Sequence, residues 1–302
     1  FGLASTFCVI LLGDESGYEI GDVQKTKLAA IEAEWNTEPA PASFTLFGIP
    51  NQQEMRTEYA IKIPYVLGLI ATRSTTGQVT GIKDLMTEHE ARIRNGMVAY
   101  GQLEKLRAGD RTPALLSAFK DSQKDLGYGL LLKKYTPNVT DATDDQIKSA
   151  VKDSIPNVKA LFFTFRAMVA SGALMLLLFL LAAWSVAKRN FEQKPWLLKF
   201  ALYALPLPWI ATQTGWYVAE GGRQPWTIGE VLPTHLSASS LSTGDLAGSI
   251  FALVAFYTVL LIIEMYLMIK FARLGPSSLH TGKYHFEKSD THHQSAVGEA
   301  QS

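Results

Sequence analysis

Three apolar runs, each near the length needed to cross a bilayer, lie in the second half of the chain: Ala160 to Ala187, Trp196 to Glu220 and Leu246 to Leu274. A spanning helix needs about 20 mostly apolar residues. The first run contains one interior charge, Arg166, and the third contains Glu264. The second is interrupted by Pro206 and Pro208, which predicts a kink, because proline removes a backbone donor and neighbouring helices must satisfy the freed carbonyls. An apolar run over residues 1–13 is too short to span and has no basic segment before it. It reads as the truncated end of a transmembrane helix.

Residues 14–159 follow a different pattern, polar, charged and rich in turns. A segment this long is expected to hold structure of its own. Asp22 to Trp35 reads as a helix with Leu28, Ile31 and Trp35 at helical spacing, Lys83 to Arg107 as a longer amphipathic helix, and Asp144 to Ile155 as a shorter one. Pro39-Ala40-Pro41 and the Gly/Thr stretch from Thr75 to Gly81 mark turns. The pattern therefore predicts an all-α integral membrane protein, a transmembrane helix bundle with a large, partly helical external loop domain.

Orientation follows from Lys and Arg. The link 188–195 and its flank carry Lys188, Arg189, Lys194 and Lys199, and the segment after the third run carries Lys270, Arg273, Lys283 and Lys288. The connection 221–245 has Arg223 against Glu230 and Asp245. The positive-inside rule puts the link 188–195 and the tail 275–302 in the cytoplasm, with 14–159 and 221–245 outside. The 28 basic side chains balance 28 acidic ones, which argues against nucleic-acid binding. A single cysteine, Cys8, rules out an intrachain disulfide. His292 and His293 stand in a polar tail expected to be disordered and make weak evidence for a metal site, and His235 reads as an interfacial side chain.

Ionisable groups at membrane depth are candidates for function. Trp209, Gln213, Trp216 and Glu220 fall on one helical face, polar and aromatic, that suits the interior of a bundle. An equally good reading makes Glu220 an interfacial cap paired with Arg223. Met168 in an apolar helix is ordinarily packing. The other possibility is an axial haem ligand, with Arg166 nearby to pair a propionate. Glu264 suits either a proton route or, more simply, an interhelical hydrogen bond.

The run from Gly215 to Trp226 (GWYVAEGGRQPW) resembles the GRQPW region of cytochrome bd quinol oxidase subunit I, as do Gly13 to Lys27 and Lys270 to Leu279. The similarity extends from the first residue to about Phe286 and covers the C-terminal portion of the long-loop type. The resemblance implies a subunit of a multi-pass bacterial inner-membrane enzyme that oxidises ubiquinol at its periplasmic face and reduces oxygen to water. Protons for water would come from the cytoplasm, generating a proton motive force. It implies that 14–159 is the quinol-binding loop, with Lys27 and Glu32 as quinol-oxidation residues. It makes Met168 an axial ligand of low-spin haem b, with Arg166 beside it, and Glu220 the ligand of high-spin haem b, with Trp216 between the haems and Arg223 close by. Haem d, subunit II and a small accessory subunit are implied as well. The family's histidine ligands belong to earlier helices and have no counterpart among His89, His235, His280, His285, His292 and His293. A haem-free membrane receptor or assembly protein with an external sensing domain is the competing expectation.

Overall fold

The computed structural model describes residues 1–74, 76–190 and 193–274. The expectations about the tail, including Lys283, Lys288, His292 and His293, lie outside the described residues.

The apolar N-terminal run continues as helix beyond Gly13, giving α1 over Gly2–Val23, which packs against the helix Val158–Ala187. A break at Gln24 separates α1 from α2, Lys25–Glu32. The expected helix from Asp22 to Trp35 is thus shorter at both ends. At its C-terminus Ala33 adopts a left-handed conformation (φ 51°, ψ 42°), and the Glu34 amide donates back to the Ala29 carbonyl at 2.9 Å. This closes the last turn and sends the chain away from the helix axis.

The loop domain is not purely helical, which corrects the all-α expectation. Antiparallel strands β1 (Phe44–Asn51) and β2 (Arg56–Ile63) form a hairpin in which Phe44 pairs with Ile63 and Asn51 with Arg56. Asn51 tightens its turn by accepting the Gln53 and Glu54 amides at 3.1 and 3.2 Å. A short helix α3, Val66–Thr72, follows. Then come α4 (Ile82–Arg107), α5 (Pro113–Ser122), α6 (Leu126–Leu130) and α7 (Asp144–Asp153). A reciprocal cap between Thr143 and Gln146 opens α7. α4 and α6 cross through paired glycines, since a β-carbon on Gly96 would lie 2.4 Å from the backbone of Asp125 and Gly129.

The first apolar run is α8, Val158–Ala187, opened by the Asn157 side chain, which accepts the Ala160 amide at 3.0 Å. The second run is two helices rather than one kinked helix, α9 (Pro195–Tyr203) and α10 (Leu207–Gly221). Pro206 and Pro208 cannot donate to the preceding turn, so they end one helix and sit at the start of the next. After α10, β3 (Trp226–Ile228) and β4 (Leu232–Pro233) form a small hairpin. Residues from Ser239 onward make a separate compact unit whose described part contains α11, Thr243–Leu274. α8 and α11 are long and apolar enough to cross a membrane.

Of the hydrophobic cores among the described residues, two hold the loop domain to its seat. One joins α2 to α8 and α10 through Ala29, Ala30, Ile31, Leu161, Phe162 and Val218. The other packs α4, α6 and α7 with Trp226 from the connection, around Ile93, Tyr128, Leu132 and Ile147.

Candidate functional site

The short helix α2 is seated on α8 and on the C-terminal end of α10, and this seat collects most of the residues singled out from the sequence. Glu32, at the last position of α2, is buried and paired with Arg166 of α8 at 3.0 Å. The rest of the Arg166 guanidinium is taken up by backbone. Nε donates to the Thr45 and Leu46 carbonyls, both at 3.1 Å, and Nη1 to Ile31 and Phe162 at 3.0 and 3.1 Å. Its face lies 3.3 Å from the centre of the Phe162 ring. One arginine therefore ties together α2, β1 and α8. Burial raises the Glu32 carboxyl to about 7, against the pull of the Arg166 charge.

Lys27 is buried five positions earlier and points to the other helix. Its Nζ donates to the Ala219 carbonyl near the end of α10 at 3.4 Å. Gly222 makes this possible: a β-carbon there would stand 2.9 Å from Lys27 Cγ and Cε and 2.5 Å from the Val218 carbonyl oxygen. Burial lowers the Lys27 pKa, with the Glu220 charge opposing and the Arg223 charge adding to that effect. A lysine already buried, with the Glu220 charge nearby, can donate a hydrogen bond to a bound hydroxyl without a large desolvation cost at the moment of binding.

Met168 and the α10 residues lie on the same two helices. The Met168 sulfur faces Gly215, where a β-carbon would come within 3.0 Å of Sδ, so the glycine leaves room for the thioether. Glu220 is paired with Arg223, as the capping reading anticipates. Trp209, Gln213 and Trp216 are exposed on α10, so the described chain does not cover the face that they form. Arg223 keeps a buried Nε with no hydrogen-bond partner among the described residues. The donors present suit haem: a thioether, a half-exposed carboxylate, an unsatisfied guanidinium nitrogen and open indole faces.

Four features of the site were not anticipated. Gly222 seats Lys27, and its signal was the Gly221-Gly222 pair inside the motif. The β1–β2 hairpin supplies the carbonyls that hold Arg166; its signal was the alternation of Thr57, Tyr59, Ile61 and Ile63 with Glu58, Ala60 and Lys62. Arg92 of α4 clamps the connection after α10, bonding both Glu230 carboxylate oxygens at 2.9 Å and Asp125 at 2.7 Å over the ring of Tyr128. His89 of α4 bonds the Ser154 hydroxyl at 2.7 Å and Thr26, next to Lys27, at 3.3 Å. His235 lines a cleft of about 890 Å³ with Trp35, Gln52, Met55, Met86 and Leu131, and neither Lys27 nor Glu32 is in its walls.

These features define a mostly helical chain with two membrane-length helices among the described residues, and with a buried lysine and a buried glutamate of α2 seated on the helices that carry Met168 and Glu220. The chain belongs to the cytochrome bd terminal oxidase subunit I family, whose model matches residues 1–276. It is 44% identical to cytochrome bd-II ubiquinol oxidase subunit 1 of Escherichia coli (strain K12) over 281 residues, 93% of this chain and 55% of that protein. It is 27% identical to cytochrome bd ubiquinol oxidase subunit 1 of Bacillus subtilis (strain 168) over 275 residues, 91% of this chain and 47% of that protein. The chain thus spans about half the length of these relatives.

Proposed function

We propose that this chain forms part of subunit I of a quinol:oxygen oxidoreductase of the bacterial inner membrane, oxidising ubiquinol at the periplasmic face and reducing oxygen to water. In this reading the loop 14–159 and the connection 221–245 lie outside, and the link 188–195 and the tail 275–302 inside. Residues 160–187, 196–220 and 246–274 cross the bilayer as part of a larger bundle. The observation that carries the reading is that α2, with its buried Lys27 and Glu32, rests on the same helices that bear Met168 and Glu220.

Lys27 donates to one quinol hydroxyl and Glu32 accepts the proton, with Arg166 holding the Glu32 carboxylate in position between α2 and α8. Met168 would ligate low-spin haem b, and Glu220 high-spin haem b, with Arg166, Trp216 and Arg223 around them. Bound haem, including haem d, supplies the one-electron carriers between quinol and oxygen. Glu220 would hold the iron through its carboxylate, and Arg223, paired with that carboxylate here, would suit a propionate. Subunit II and a small accessory subunit complete the assembly. Membership in this family counts against the haem-free receptor.

Reduced-minus-oxidised absorption spectra of the full oxidase test the ligand roles. Glu220→Ala is expected to remove the high-spin haem b signal, and Met168→Ala to convert the low-spin signal. An unchanged spectrum in either variant defeats that assignment. Lys27→Ala and Glu32→Gln are expected to slow quinol oxidation by about a hundredfold or more with the haem spectrum intact. Unchanged turnover removes the quinol site from α2.

A further inference from the structure

One buried histidine beside the site has no part in the chemistry above. His89 of α4 is buried, and both of its ring nitrogens are bonded. Nδ1 stands 2.7 Å from the hydroxyl of Ser154, which caps the end of α7, and Nε2 stands 3.3 Å from the hydroxyl of Thr26 in the first turn of α2. The Ser154 hydroxyl gives its own hydrogen to the Val151 carbonyl at 2.7 Å. It therefore accepts from Nδ1–H, which leaves Nε2 bare to accept from Thr26. Burial, then the Arg92 charge, lowers the ring's pKa to about 4 against the pull of Glu230, so at neutral pH Nε2 stays an acceptor. The ring also rests against Tyr128, with centroids 5.2 Å apart, and the Tyr128 hydroxyl bonds Glu230 at 3.2 Å.

We infer that His89 is a positioning residue for quinol oxidation: by holding the Thr26 hydroxyl it fixes the rotation of the first turn of α2, and with it the direction of Lys27. The inference rests on Lys27 meeting quinol. Thr26 and Lys27 are successive residues of one helix, about 100° apart around its axis. A turn that faces Thr26 toward α4 therefore sends Lys27 to α10, where Nζ reaches the Ala219 carbonyl at 3.4 Å.

The contact falls where α2 needs it. Gln24 interrupts the helix between α1 and α2 (φ −132°, ψ 59°) and supplies no side-chain cap among the described residues, so the first turn of α2 is not carried by a continuous helix. The last turn is tied to α8 by Glu32 and Arg166 at 3.0 Å. The first turn is tied through His89 to α4 and α7, whose core is built around Ile93, Tyr128 and Ile147. Lys27 lies between the two ties and takes its place from both.

The test uses the complete oxidase. Thr26→Val keeps the side-chain shape and removes the hydroxyl. It is expected to slow haem reduction by ubiquinol by about tenfold, while reduction by dithionite, which needs no quinol site, keeps the wild-type rate. His89→Ala should slow the quinol reaction at least as much. Both changes remove one bond, so the double variant should be no slower than His89→Ala alone, and additive losses count against the inference. Action through Lys27 is read in the Lys27→Ala background, where Thr26→Val should have no further effect. Wild-type quinol kinetics in Thr26→Val, or a further tenfold loss on top of Lys27→Ala, overturns the inference. If His89→Ala fails to assemble, Thr26→Val alone and with Lys27→Ala decides. Normal turnover in Lys27→Ala would instead sink the quinol-site reading. Loss of turnover in Lys27→Ala, with Thr26→Val normal, would sink the positioning role alone.

Discussion

Two glutamate–arginine pairs stand near the N-terminal end of α8 and at the C-terminal end of α10, and they are built in opposite ways. Glu32 and Arg166 are sealed in, with side chains 4% and 14% exposed, and four backbone carbonyls use the remaining guanidinium donors. Glu220 and Arg223 lie three residues apart on one chain segment, 40% and 39% exposed, beside the uncovered tryptophans of α10. The first pair is finished by this chain; the second is left open to another group. A buried pair is costly to break, because either partner alone is an uncompensated charge away from water, whereas a half-exposed pair exchanges partners at little cost. Under the proposed function, positioning a proton acceptor calls for the first arrangement, and receiving a cofactor calls for the second.

The sharpest way to break this comparison is to remove the arginines one at a time. Arg166→Leu should destabilise the loop domain by about 3–5 kcal/mol, since it strands Glu32 and the Thr45, Leu46 and Ile31 carbonyls together. Thermal unfolding of the purified complex, or protease sensitivity of the loop, would register the loss. Arg223→Ala should change stability by no more than about 1 kcal/mol while perturbing the haem spectrum. Equal thermal effects of the two substitutions would contradict the distinction.

A smaller effect is expected from the glycine that joins the two halves. Gly222→Ala forces a methyl against the Lys27 stem and the Val218 carbonyl, and overpacking of this kind costs about 1–3 kcal/mol. Because the displaced group is Lys27, turnover at saturating quinol should fall more than the unfolding midpoint does. The ranking inverts if Lys27 only fills space.

The sequence made the long apolar helices α8 and α11, the amphipathic helix α4 and the polar, aromatic face of α10 readable, because each rests on local periodicity. Glu220 with Arg223 was readable for the same reason, being one helical turn apart. The Glu32–Arg166 pair was not, because it joins positions 134 residues apart through a hairpin that a helical reading of the loop had passed over. Pro206 and Pro208 signalled an interruption, but the step from kink to full break depends on whether neighbouring groups can satisfy the freed carbonyls, which is a tertiary matter. The end of α2 at Ala33 was hidden because alanine carries no signal for a left-handed cap; Trp35 keeps helical spacing past the point where the helix stops.

Next in size is the clamp between the loop domain and the connection after α10. Arg92 and Glu230 form a two-pronged pair, and Arg92 also bonds Asp125. A double-mutant cycle with Arg92→Ala and Glu230→Gln should give a coupling energy of about 1 kcal/mol, below that of the sealed pair because Glu230 is half exposed. Coupling as large as that between Glu32 and Arg166 would mean that the clamp, and not α2, fixes the loop.

The smallest net effect is the most discriminating, because buried titratable groups in two parts of the loop pull in opposite directions. Glu32 and Glu34 have carboxyls raised by burial to about 7, so the folded state holds their protons more tightly than the unfolded state. Their contribution falls as pH climbs from about 4.5 to about 7. His89 behaves in reverse. Burial first, and then the Arg92 charge, lowers its pKa from 6.5 to about 4 against the weaker pull of Glu230, so its contribution is lost as pH falls through that window. Globally the slopes partly cancel, leaving a modest decline toward alkaline pH. Hydrogen exchange, corrected for its intrinsic pH dependence, separates them. Protection of the amides from Ala29 to Glu34 should weaken as pH rises from 5 to 7, and protection around Ser154 should strengthen over the same range. His89→Gln should steepen the global decline, and Glu34→Gln should flatten it. A common slope in both regions would show that the loop opens as one unit, and the contrast between a sealed end at α2 and the rest of the domain would then have no energetic meaning.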